Sequence, residues 1–218
     1  MTNSKWTEQQ FLASWIMRFG PDFRTIRPGV NTTIYKNNVN RNWNKLRVLF
    51  FNSKNKFKNQ ELILNALSKI NQPIDLYVIG QPVEQIYPFV TIHFIAPYIY
   101  EPERLSDIYN EVDVLVYPSI AETFGMMVAE AKASGVCVIG TNCTAVEEQI
   151  IHQKTGLLID QNDENQLAQL LNWCANNLIE VRLIGNQATI DIQQHFTFEK
   201  YMDETIDYYK YIYEKTKK

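Results

Sequence analysis

Short apolar runs alternate along this chain with stretches in which apolar residues return every three or four positions, and the alternation persists almost from end to end. The runs RVLFFN (47–52), IDLYVI (74–79), VTIHFI (90–95), VDVLVY (112–117), VCVIG (136–140) and GLLID (156–160) are rich in β-branched and aromatic residues, and they predict strands. Helical spacing predicts helices over 59–70, 102–110, 124–134, 145–152 and 164–176, then two long ones over 178–195 and 198–214. Strands separated by helices pair through right-handed crossovers, which build a parallel sheet covered on both faces. The expected fold class is therefore α/β, a doubly wound parallel sheet of about six strands. Residues 26–218 are expected to form this domain, and residues 1–25 a separate N-terminal segment. Phe11, Trp15 and Phe19 in that segment predict a short amphipathic helix, and KNNVNRNWNK (36–45) a polar loop.

Composition narrows the function classes. A chain of 218 residues can bury one sizeable core. Its 21 basic residues are scattered among 24 acidic ones for a net charge of −3, which argues against a nucleic-acid footprint. Cys137, Cys143 and Cys174 are odd in number, and the first two lie on or just after an apolar strand. They read as reduced, small hydrophobes and favour a reducing compartment, so a cytoplasmic location is expected. No run approaches the ~18 apolar residues of a membrane span and no signal peptide opens the chain. His93 alternates with apolar strand positions, while His152 and His195 fall in predicted helices without ligand spacing, so no metal site is expected. The aromatic set Phe198, Tyr201, Tyr208 and Tyr209 has helical spacing and predicts packing rather than base stacking.

The run YPSIAETFGMMVAE (117–130) carries the candidate chemistry. It places Glu122 in a strand-to-helix loop and Glu130 about two turns into the following helix, with seven residues between them. The helix start over Thr123, Phe124, Gly125, Met126 and Met127 offers unpaired N–H groups and the positive end of a helix dipole, and Gly125 permits close approach to the backbone. Such a turn suits a diphosphate. A carboxylate repels phosphate, so each Glu fits the role of hydrogen-bond acceptor for hydroxyl groups on a sugar or ribose. Two Glu at this separation also occur by chance, and a Glu near a helix start often only complements the dipole. The basic run SKNKFK (53–58), which follows the first strand, stands where a phosphate ligand would need it, although such runs are equally often solvated loops.

The segment PSIAETFGMMVAEAKASGVCVIGTN (118–142) resembles the signature of the C-terminal, donor-binding domain of GT-B glycosyltransferases, specifically the retaining enzymes of glycosyltransferase family 4. RPGVNTTIY (27–35), KTGLLID (154–160) and FEKYMDETIDYYKYIY (198–213) resemble further family segments in the same order. The resemblance spans about residues 25–213 and implies a single Rossmann-like domain of the GT-B C-terminal type with long C-terminal helices. It also implies the residue roles. Lys58 would grip the diphosphate, with Ser53 and Lys54 replacing the family's arginine on this loop, and Glu122 would face the donor sugar. Glu130 would bind the ribose, the backbone of Gly125, Met126 and Met127 the phosphate and sugar oxygens, and Pro97, Tyr98 and Ile99 the base. Thr144-Ala145 stand where the family carries a glycine pair, and Glu148 fits a family glutamate.

What the resemblance implies for function is transfer of a hexose from a nucleotide diphosphate sugar to a hydroxyl with retention, without a metal or other cofactor. A GT-B enzyme has two facing domains, and fewer than about 45 residues precede this one, so the chain is expected to be a donor-binding half that works with a separate acceptor-binding domain or as a homo-oligomer. TNSKWT (2–7) resembles the end of the other domain. The alternatives are a non-catalytic nucleotide-sugar-binding or interaction module and, less favoured, a GT-B-like sugar-nucleotide epimerase.

Overall fold

A computed structural model describes residues 1–14 and 24–217. After a nine-residue helix α1 (Lys5–Ala13), six strands are interspersed with helices, with none between the second and third strands: β1 (Leu46–Asn52), α2 (Gln60–Leu67), β2 (Ile74–Gly80), β3 (Val90–Ala96), α3 (Pro102–Asn110) and β4 (Val114–Tyr117), then α4 (Met126–Ala133), β5 (Cys137–Thr141), α5 (Thr144–Glu147) and β6 (Leu157–Ile159). Three longer helices close the chain, α6 (Glu164–Asn176), α7 (Leu178–His195) and α8 (Phe198–Thr216). All six strands run parallel in one sheet of order β3-β2-β1-β4-β5-β6. The strand order reverses between β1 and β4, and such a switch point opens a crevice beyond the carboxyl ends of the strands.

Alternation along each strand divides the core in two. Val48, Phe50, Val114, Val116, Cys137 and Ile139 point to the face covered by Leu62 and Ile63 of α2 and by Leu167 and Leu171 of α6. Leu49, Leu115, Tyr117 and Val138 point to the opposite face, covered by Tyr109 of α3, Val128 and Ala129 of α4, and Ile192 of α7. Tyr117 thus belongs by period to the α4 side, which decides where its hydroxyl ends up. Gly80 lies on the crevice rim. Its φ is +109°, and a Cβ there would lie 2.2 Å from the Asn52 carbonyl oxygen, so β1 and β2 reach their ends side by side only with glycine at this position.

Several local expectations need correction. The helix expected over 145–152 is only α5, four residues long; the chain then turns, and His152 forms an isolated bridge to Gly156 with Nδ1 accepting from the Leu158 N–H. Helix α4 starts at Met126, two residues later than expected, because Gly125 takes a left-handed conformation that breaks the helical path. Helix α1 ends at Ala13, with the Ser14 N–H bonded to the Phe11 carbonyl, and Trp15 and Phe19 lie outside the described residues. No residue of α8 is buried; Phe198 and Tyr209, expected to pack, are exposed. All three cysteines are free, and no helix among the described residues is long and apolar enough to cross a membrane.

Candidate functional site

The carboxyl ends of β1, β2 and β3 and the start of α4 enclose a cleft of 460 Å³. Its walls include Asn52 at the end of β1 with Ser53 and Lys54 after it, Gly80 at the end of β2 with Gln81 after it, Pro97, Tyr98 and Ile99 after β3, and Met127 from α4. Six of the residues singled out in the sequence therefore share one opening. The Asn52 side chain donates to the Gln81 carbonyl at 2.8 Å, tying the two loops of the rim together.

Beside the cleft, Lys58 emerges from a single 3-10 turn (Lys56–Lys58). Its ammonium ion-pairs with the Glu122 carboxylate and lies 2.6 Å from the Tyr117 hydroxyl, which itself donates to Glu122 Oε1 at 2.6 Å. Ser119 Oγ lies 3.3 Å from the same carboxylate oxygen and donates to the Phe57 carbonyl at 2.9 Å. Burial and the Glu122 carboxylate raise the Tyr117 phenol, so it stays a donor. Two ends of this cluster, Lys58 and Glu122, were legible in the sequence. Tyr117 and Ser119 were not singled out, because a Tyr ending an apolar strand reads as core until the strand's facing is known.

At the start of α4, Gly125 has φ +87° and no side chain caps the helix, so the N–H groups of Met126 and Met127 have neither an intrahelical acceptor nor a capping partner. Thr123 is exposed. Phe124 is 3% exposed, packed with its ring centroid 6.0 Å from that of Phe196, so only its backbone is available to a ligand. Glu130 sits one turn into α4, closer to the helix start than the sequence suggested. Burial pushes its carboxyl up to about 7, against the weak pull of the Tyr109 hydroxyl 3.5 Å away. A carboxyl with so little compensation has room for further hydrogen-bond donors.

Two more residues missed by the sequence hold this turn from behind. Gln149 Nε2 donates to the Phe124 carbonyl and lies 3.4 Å from the Gly125 carbonyl, while the buried Lys132 ammonium meets the Gln149 carbonyl and, at 2.6 Å, Asp191. Glu148 turns to the N-terminal segment, accepting from the backbone N–H of Trp6 at 2.7 Å and Lys5 at 3.1 Å, and pairing with Arg27 at 3.1 Å. Thr7 Oγ1 donates to the Thr123 carbonyl at 3.3 Å, so the tip of α1 borders the Glu122 loop. Thr144 has φ 60°, left-handed backbone at a position where the resembling family has glycine. Among the described residues no group of three or more His, Cys, Asp or Glu is placed to hold a metal ion.

Comparison with known proteins sets this geometry in a family. A 70-residue stretch is 37% identical to a D-inositol 3-phosphate glycosyltransferase of Corynebacterium urealyticum, covering 32% of this chain and 16% of that protein. An uncharacterized 41.2 kDa protein in the cps region of Klebsiella pneumoniae is 27% identical over 130 residues, 59% of this chain and 36% of that protein. Among solved structures, sucrose-phosphate synthase from Thermosynechococcus elongatus superposes with a TM-score of 0.80 at 22% identity, over 97% of this chain and 57% of that one. Anabaena HepE in complex with UDP and glucose superposes with a TM-score of 0.78 at 16% identity, over 96% of this chain and 62% of that one. The chain thus spans little more than a third, at most, of these curated relatives and about three-fifths of the solved chains. At these identities the superpositions establish the fold, a Rossmann-like α/β domain. The family described as "Glycosyl transferases group 1" matches residues 31–191, the stretch that holds the cleft, the Lys58–Glu122 pair and α4, and the chain belongs to that family.

Proposed function

We propose that this domain is the donor-binding half of a retaining GT-B glycosyltransferase of family 4, which moves a hexose from a nucleotide diphosphate sugar to a hydroxyl. The observation that carries the reading is the convergence of Lys54, Ser53, the Pro97–Ile99 loop and the uncapped start of α4 on one cleft, with the Lys58–Glu122 pair beside it. HepE, which shares the fold, was solved with UDP and glucose. The base packs against Pro97, Tyr98 and Ile99; the ribose hydroxyls donate to Glu130; and the diphosphate lies over the N–H groups of Gly125, Met126 and Met127. In the unliganded protein Lys58 neutralises Glu122. An arriving diphosphate draws Lys58 toward itself, and Glu122, still held by the Tyr117 hydroxyl, is left to accept from the sugar. The anomeric carbon then exchanges its bond to the diphosphate oxygen for one to the acceptor oxygen, whose proton leaves with the diphosphate. Lys58 and the helix start stabilise the charge that develops on that leaving group, in a site that excludes much of the water. No metal or protein nucleophile takes part in this proposal.

The acceptor wall comes from another domain or a second copy, which docks on the face formed by the Glu122 loop and the α1 tip. Holding the acceptor there accounts for roughly 7–11 kcal/mol of the barrier, so these residues alone bind donor and transfer sugar negligibly. A nucleotide-sugar-binding module without turnover is the second reading, since the cleft and the uncapped start of α4 serve donor binding in either case.

Calorimetric titration with UDP, GDP and ADP tests the donor site. One of the three binds, and Lys58→Ala weakens it by about 1–3 kcal/mol while leaving the matching nucleoside nearly unaffected. Absence of binding by all three defeats the proposal, and equal losses for nucleotide and nucleoside remove the phosphate role of Lys58. Robust transfer by these residues as a demonstrable monomer would defeat the need for a second wall.

A further inference from the structure

Glutamine at position 149 is nearly enclosed, 2% exposed, and sits behind the α4 turn rather than in the cleft. Its amide group has only one sensible orientation. Nε2 faces the carbonyl oxygens of Phe124 and Gly125, and a flipped amide would set oxygen against oxygen. The Oε1 atom is consequently buried without a partner. Buried polar atoms in folded proteins almost always find one, so a side chain kept with an orphaned acceptor serves something besides packing.

The consequence lies in the geometry of the peptide unit. In a trans peptide the C=O and the following N–H point in opposite directions. Drawing the Phe124 carbonyl back toward Gln149 turns the Gly125 N–H away from it, and drawing back the Gly125 carbonyl does the same for the Met126 N–H. The Gly125 carbonyl also accepts from the Val128 N–H at 2.9 Å, so it is held along the helix direction from two sides. A residue at φ +87° has no intrinsic reason to stay in one orientation when it is glycine, and outside support is needed.

That support is anchored in α4 itself. Lys132, 0% exposed and two turns along the helix, donates from its ammonium to the Gln149 main-chain carbonyl, and its charge is met by Asp191 of α7 at 2.6 Å. Thr189 Oγ1 donates to the Lys132 carbonyl at 3.1 Å and joins α7 to the same point. A closed loop results: from α4 through Lys132 to the Gln149 backbone, along the Gln149 side chain, and back to the peptide units that open α4. A buried lysine stripped of water is retained here although an apolar side chain would fill the same space at less cost in desolvation.

We propose that Gln149, anchored by the Lys132–Asp191 pair, is a positioning residue that aims the Gly125 and Met126 N–H groups at the diphosphate, an inference that rests on the donor-site reading above. The clamp never touches the ligand. Its effect is preorganisation, so that donors already face the phosphate before it arrives.

The test uses Gln149→Met, which keeps length and volume but removes the amide, and the double variant Lys132→Met/Asp191→Leu, which removes the anchor without leaving a buried charge unpaired. UDP, GDP and ADP are titrated by calorimetry and their nucleosides by competition. Each variant loses about tenfold in affinity for the diphosphate that binds wild type, and less than twofold for the matching nucleoside, because only the phosphate feels the turn. Equal losses for both ligands, or no loss in a folded variant, overturn the clamp. Wild-type protein that binds none of the three removes the donor-site reading and, with it, the purpose assigned to the clamp. Exchange of the Val128 amide, which is bonded to the Gly125 carbonyl, gives a separate readout when followed by NMR without ligand. Faster exchange there, relative to the rest of α4, is expected in both variants, and unchanged exchange overturns the clamp whatever ligand the turn takes.

Discussion

Two acidic side chains, one at each end of the sheet, meet opposite environments. Asp113, at the amino end of β4, is 1% exposed, and its carboxylate accepts from Trp43 Nε1 at 2.6 Å, Arg182 Nε at 2.9 Å and the Arg47 N–H at 3.1 Å. Nearby Arg41 is just as fully engaged, donating to the carbonyls of Val112, Tyr109 and Ser134. Glu130, at the carboxyl end, is largely buried too, yet its hydrogen bond to the Tyr109 hydroxyl is long, 3.5 Å, and its carboxyl is pushed up to about 7. A satisfied carboxylate is structure, holding loops and α7 to the strand ends. An under-satisfied one of the same chemistry is capacity, since its lone pairs remain available to a ligand.

Removing each carboxylate should separate these roles. Asp113→Ala leaves Arg182 without its partner and should destabilise the fold by about 3–5 kcal/mol in urea unfolding. A loss below about 1 kcal/mol would erase the distinction. Glu130→Gln should do the reverse at neutral and higher pH, because it removes a desolvated charge. The sign follows from the raised value: the native state holds the Glu130 proton more tightly than the unfolded chain does. The corresponding stability is full below the ordinary value of 4.5 and is lost as pH rises through about 7. Relative to Glu130→Gln, wild type should therefore fall in stability by about 2 kcal/mol between pH 4.5 and pH 8, partial exposure included. A pH-independent difference would mean that Glu130 is compensated in solution.

Ligand binding sharpens the comparison further. Glu130→Ala should weaken the bound nucleoside diphosphate by about 1–3 kcal/mol, the range for a hydrogen bond to a charged group. The contribution should grow as pH rises through 7, when the carboxylate forms. Unchanged affinity in the folded variant would remove its ribose role. The smallest effect is expected at Thr144, whose left-handed backbone strains a β-branched residue and whose hydroxyl is buried without a partner. Thr144→Gly should stabilise by about 0.5–1 kcal/mol, the relief of strain partly offset by the freer unfolded chain. Destabilisation would show that the hydroxyl and methyl groups matter more than the φ angle.

Strand positions were legible because burial on both faces of a parallel sheet demands continuous apolar runs, and five of the six observed strands differ from their predicted bounds by one residue or less at either end. The strand containing Tyr117 was started two residues too early, since Val112 and Asp113 precede β4 and serve the amino-end network instead. The helix after β5 was misjudged for a related reason. Apolar residues in AVEEQIIH return with helical spacing, but Ile150 packs in the core from a turn, where periodicity no longer distinguishes helix from loop. The charged half of the site was readable as a basic run and two glutamates near a helix start. Its orientation was not, as the pairing of Lys58 with Glu122 spans 64 positions in the chain and follows from where two loops end.

The sequence by itself determined the α/β class and the family, because each rests on local periodicity or on contiguous motifs that survive without a partner. Tertiary structure alone decided which face of β4 carries Tyr117, that Gln149 reaches the α4 turn from behind, and that Glu130 lacks the donors Asp113 enjoys. Those outcomes depend on side chains brought together from distant elements at distances of about 3 Å, where hydrogen bonding and desolvation act, and neither quantity has a signature along the chain.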